Sequence, residues 1–193
     1  MSSSDAGPRL FRRWVLANTV GWLLGFVFIM VGAIGADVIG IEHAQFFIGI
    51  GMGAGVGYAQ MRVATPAFGA PLWWGWATVL GVGAAFVLSD VVRAFWSGIP
   101  YLSMLWLSAA CGGLLVGLLQ RPLLRPHSVR ANWWVLGCVA GWALAAATVL
   151  LYGTVSGGSP SAWLALISVA AIPLGGVVLG VVTGGMLLWT LRG

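Results

Sequence analysis

Apolar residues in this chain do not alternate with polar ones over short stretches. They accumulate in six long runs, near residues 14–35, 43–63, 72–94, 99–120, 132–153 and 162–190. At about 1.5 Å of rise per residue, each run is long enough to cross a hydrocarbon core of about 30 Å. Within lipid every backbone N–H and C=O needs an internal partner, so the runs are expected to be helices and not strands. The stretch GIGMGAGVGYAQMR at 49–62, with glycine at every second position at its start, is therefore read as helix. The last run is the longest and carries Pro173, where a kink, tilt or break is expected.

The polar and small residues inside these runs repeat. Trp14, Trp74 and Trp134 recur at intervals of 60 residues, as do Gly21, Gly81 and Gly141. Gly53, Gly57 and Gln60 match Gly113, Gly117 and Gln120 at the same offset. A third copy, Gly176, Gly180 and Thr183, slips by three residues, which the loop GGSPS at 157–161 absorbs. The chain thus reads as three tandem helical hairpins, about 14–66, 72–126 and 132–191, behind an N-terminal tail of residues 1–13. Each hairpin starts and ends on the same side, so the copies share one orientation. The expected architecture is an all-α integral membrane protein of six transmembrane helices with approximate three-fold pseudosymmetry.

At 100° per residue, Gly53, Gly57 and Gln60 fall at about 0°, 40° and −20°, one narrow helix face. Two glycines four apart admit a neighbouring backbone, and a glutamine on the same stripe can bond across the contact. Gly51 and Gly55 lie on roughly the opposite face, so the second helix is expected to be pressed from both sides. The first helix of each hairpin supplies Asn18, Thr78 or Cys138 at comparable depth, again 60 residues apart. Asn18 is expected to face Gln60, and Thr78 to face Gln120. Interhelical bonding is the simpler reading of these positions; a polar layer lining a solute path is the other.

Composition agrees with a bilayer. The chain is 60% hydrophobic and 7% charged, too few charges to cover a water-facing surface. Its net charge of +5 comes from arginines in the short segments between runs. Arg9, Arg12, Arg13, Arg62, Arg121, Arg125, Arg130 and Arg192 all fall on one side of a six-crossing topology. The positive-inside rule makes that side, with both termini, cytoplasmic, and bacterial inner membrane is the expected location. Nucleic acid is not an expected partner; membrane lipids and other membrane-protein subunits are. Asp90 and Arg93, spaced i, i+3 near a helix end, read as a local salt bridge. The segment RPLLRPHSVR, containing His127, fits anionic lipid head groups.

Little catalytic chemistry is offered. With no lysine there is no Schiff base and no P-loop lysine. Cys111 and Cys138 both sit in apolar runs as small packing residues, and no metal-ligand spacing occurs. Glu42 with His43 is the candidate ligand or proton site, at the outer edge of the second helix. Trp14, Trp73, Trp74, Trp133, Trp134 and Trp189 read as an interfacial aromatic belt, with Trp96 and Trp163 at the other interface. Trp22, Trp76, Trp106 and Trp142 lie deeper, and the repeat-equivalence of Trp22 and Trp142 favours packing.

The pattern from Trp14 through Gly21-Trp22, followed by Gly53-x-x-x-Gly57-x-x-Gln60 and a second copy ending in Gln120-Arg121, resembles small multi-pass bacterial membrane proteins with repeated Gly-rich, Gln-ending hairpins, a group without assigned activity. The resemblance implies no activity, and Thr183 departs from it where glutamine would stand. The expected function is that of a non-catalytic structural or accessory subunit packing within a larger membrane complex, alongside lipid or pigment and without a cofactor of its own. The alternative is a small transporter or channel for a neutral or small solute.

Overall fold

The computed structural model describes residues 6–38, 40, 45–96, 98, 100–155 and 162–192, with the backbone alone at 6, 101, 151–155 and 162–171. Among them are six α-helices: α1 (Ala6–Val38), α2 (Phe46–Phe68), α3 (Trp73–Phe95), α4 (Tyr101–Leu124), α5 (Trp133–Val155) and α6 (Ala162–Leu191). A single 3₁₀ turn, Arg125–His127, leads out of α4. Five of the six helices are long and apolar enough to cross a membrane. The exception is α2, which at 23 residues is as long as α3 and α5. Glycine at five of its positions, from Gly49 to Gly57, together with Gln60 and Arg62, dilutes its apolar character.

Two boundaries differ from the sequence expectation. Residues 6–13 are not a tail, because α1 is already helical from Ala6 and carries Arg9, Arg12 and Arg13. Of the kink, tilt or break expected at Pro173, a break does not occur: α6 runs through it to Leu191. Pro66 and Pro122 likewise sit inside the last turns of α2 and α4. The α2–α3 connection is closed by Gly69 at φ +71, whose N–H bonds the Thr65 carbonyl at 2.9 Å. That left-handed conformation is the one glycine adopts without a Cβ clash.

Each helix packs mainly against its neighbours in the chain, and α6 packs back on α1, so the six close into a ring. The glycines explain how closely. A Cβ at Gly55 would strike the Gly21 carbonyl and the Gly25 amide of α1, whereas one at Gly53 would come within 2.8 Å of Val79 Cα in α3. Helix α2 is therefore pressed from both sides, as its two glycine faces predicted. The other stripes work in the same way: Gly113 and Gly117 meet Cys138 and Val135 of α5, and Gly176 and Gly180 meet Thr19 and Val15 of α1.

Candidate functional site

Trp14, Trp74 and Trp134 are wholly buried, and this corrects their reading as belt residues. They belong to α1, α3 and α5, which are not neighbours around the ring, so their side chains can only meet across its interior. Ring centroids lie 6.1 Å apart for Trp14–Trp74, 6.2 Å for Trp14–Trp134 and 5.7 Å for Trp74–Trp134. Two of these contacts are edge-on, the arrangement that aromatic quadrupoles favour. Buried Val56, Val116 and Leu179 on one side and Ala64, Leu124 and Leu187 on the other complete the same apolar cluster. The belt expectation fits Trp73, Trp133 and Trp189, which are exposed, with Trp133 stacked edge-on against Trp189 and Arg130 over the Trp189 ring.

Three indole N–H groups buried in an apolar interior need acceptors, and the repeated polar positions supply them. Trp74 Nε1 donates to Gln60 Oε1 at 3.2 Å, Trp134 Nε1 to Gln120 Oε1 at 3.1 Å, and Trp14 Nε1 to Thr183 Oγ1 at 3.0 Å. The glutamines use their amide N–H groups in the opposite direction. Gln60 Nε2 donates to Asn18 Oδ1 at 2.9 Å, and Gln120 Nε2 to Thr78 Oγ1 at 2.9 Å and the Trp74 carbonyl at 3.2 Å. Asn18 Nδ2 and Thr78 Oγ1 in turn donate to the Trp14 and Trp74 carbonyls. Each glutamine thus ties the helix before it to the helix after it. Thr183 has one proton and donates it to Leu179 O at 2.6 Å, so it serves as acceptor for the indole without a second interhelical bond.

These residues are packed and mutually satisfied, not poised around an open space. Asn18, Gln60, Thr78, Gln120 and Thr183 are all buried, as is Cys138, whereas Cys111 is exposed on the outside of α4. The pairing of Asn18 with Gln60 and of Thr78 with Gln120 is the one expected from depth alone. The part sequence reasoning missed is the tryptophan on the far side of each amide. The spacing of Gln60 to Trp74 and of Gln120 to Trp134, 14 residues in both cases, was the available signal.

Further along the ring interior, away from the triad, lies a chamber of about 360 Å³ with an apolar lining drawn from α1 to α5. It begins at Trp22 and Trp142, whose rings are 6.0 Å apart, and at Val82. These three positions stand eight residues beyond the triad positions, about 12 Å along a helix. On the outside, Arg13 and Arg62 head a shallow apolar groove between α1 and α2, with Leu16, Val20 and Tyr58 along it.

The far end of the bundle holds a contact that no local pattern announced. No side chain caps α2 locally, and the Asp90 carboxylate of α3 accepts from Gln45 N at 2.8 Å and Phe46 N at 2.8 Å. A carboxylate on the first free amides of a helix satisfies orphan donors and complements the dipole. Asp90 thus has a task beyond the expected local pairing with Arg93. Glu42 and His43 lie outside the described residues. Among the described residues no group of three or more His, Cys, Asp or Glu side chains could hold a metal ion.

No protein-family model matches the chain, no curated protein matches it, and no solved structure matches its fold.

Proposed function

We propose that the chain is a non-catalytic polytopic protein of the bacterial inner membrane. It crosses six times with both termini in the cytoplasm and serves as a structural or accessory subunit within a larger membrane assembly. The three hairpins are related by approximate three-fold pseudosymmetry about the axis that Trp14, Trp74 and Trp134 share.

The observation that carries this reading is the condition of that axis. At the level of the triad it is filled by three buried indoles whose N–H groups all bond to Gln60, Gln120 and Thr183. A conduit for water or ions needs polar groups facing a space, and those of this layer face one another. A rigid, internally satisfied ring with an apolar exterior suits a part that other membrane proteins pack against. The exterior supports this: Leu16, Met30 and Val31 of α1 and Trp76 and Leu88 of α3 are exposed. The Arg13 and Arg62 groove sits where a lipid phosphate would meet the basic end.

Purification in a mild detergent followed by native mass measurement tests the reading. A stable particle heavier than the chain alone, containing other membrane proteins in fixed ratio, is expected. A lone chain that conducts a small solute in liposomes, with flux abolished by Gln60→Leu or Gln120→Leu, would overturn it in favour of a transporter or channel.

A further inference from the structure

The triad and the chamber belong to one register. Trp14, Trp74 and Trp134 fill the interior at one level, and eight residues on the equivalent set is Trp22, Val82 and Trp142. Two of that set are tryptophans in contact, and the third is a valine. All three line the chamber of about 360 Å³, which continues past Phe26 and Phe86 to Ile48 and Leu102, close to the first residues of α2 and α4. The space therefore lies where a third indole would stand if the second level copied the first.

We infer that this chamber is a binding site for a single hydrocarbon tail of a membrane lipid, inserted from the end of the bundle opposite the eight clustered arginines, the end that carries Asp90 and Arg93. An unfilled void of this size would deprive its whole lining of contacts, at a cost that grows with its volume. Water does not relieve that cost, because an apolar cavity without polar partners stays dry. A cavity of roughly 150 Å³ already accepts benzene, so more than twice that volume accommodates a substantial length of chain. Among the described residues the lining side chains are all aliphatic or aromatic, with no charged group among them, which suits a tail and not a head group. Its far end reaches the level of Ile48 and Leu102, within the first three residues of their helices, where a head group would sit at the membrane surface. Valine at 82 is then the residue that keeps the site open.

This inference rests on the membrane reading, and the test separates the two. Delipidated protein in mild detergent is titrated with palmitate brominated near its chain end. Saturable quenching of tryptophan fluorescence at one palmitate per chain is expected, competed by unbrominated palmitate. Val82→Trp, which restores the repeat, and Ala146→Phe, which fills the chamber from α5, should each weaken binding at least tenfold. Leu80→Trp on the exposed face of α3 should leave it unchanged. Uptake no different from that of empty micelles would overturn the site, as would wild-type affinity in whichever filling variant retains native mass and helicity. Release of the wild-type chain from membranes by alkaline carbonate would instead overturn the membrane reading. A chain that stays in the membrane yet binds no palmitate would refute only the chamber.

Discussion

Gln120→Leu is the most informative single change, because leucine matches the side chain in size and removes only its polarity. The substitution deletes bonds to Thr78 Oγ1, the Trp74 carbonyl and Trp134 Nε1, at 2.9, 3.2 and 3.1 Å. Side-chain bonds between membrane helices average about 0.6 kcal/mol each, so three are worth about 2 kcal/mol. The Trp134 N–H is then left buried without an acceptor, which adds about 1–3 kcal/mol. Leucine returns part of this by packing among apolar neighbours, leaving an expected loss of about 2–4 kcal/mol. Reversible unfolding by SDS in mixed micelles, followed by circular dichroism, measures it. Gln60→Leu, which breaks the bonds to Asn18 and Trp74, should cost slightly less. Thr183→Val, which removes one acceptor, should cost only about 1–2 kcal/mol. If Gln120→Leu fell within about 0.5 kcal/mol of wild type, a typical surface-substitution effect, the network would not be holding the ring together.

Three further outcomes follow from the geometry. Gly55→Ala should destabilise by about 1–3 kcal/mol, since its methyl meets the backbone of α1. Gly185→Ala, with nothing near, should stabilise α6 by up to about 1 kcal/mol in the same unfolding assay. Asp90→Ala should cost about 1–2 kcal/mol and speed amide hydrogen exchange at Gln45 and Phe46, and no change in exchange at those two amides would rule out the cap.

Much of the packing was legible because helical periodicity constrains which residues share a face. Gly53, Gly57 and Gln60 had to lie on one side of α2 and Gly55 on the other, whatever the tertiary structure. Depth along antiparallel hairpins then paired Asn18 with Gln60 and Thr78 with Gln120. The tryptophans were not legible in the same way. Trp73 and Trp74 are adjacent and equally apolar, yet Trp73 faces outward and Trp74 is wholly buried. In water-soluble proteins the polar face marks the outside, but lipid is as apolar as a core, so hydrophobicity does not say which way a membrane helix turns.

The sequence by itself determined the all-helical class, the 60-residue spacing of tryptophan and glycine, and the glycine faces, because the helical period acts on local stretches of chain. Only the tertiary structure decided that α6 returns to α1, that three tryptophans 60 residues apart meet inside the ring, and that Asp90 caps a helix starting 44 residues earlier. It also decided that Val82, between two tryptophans of its own register, leaves a chamber. Those features depend on which side chains converge from separate helices. Convergence is set by the packing of whole elements against one another, and no window of sequence contains it.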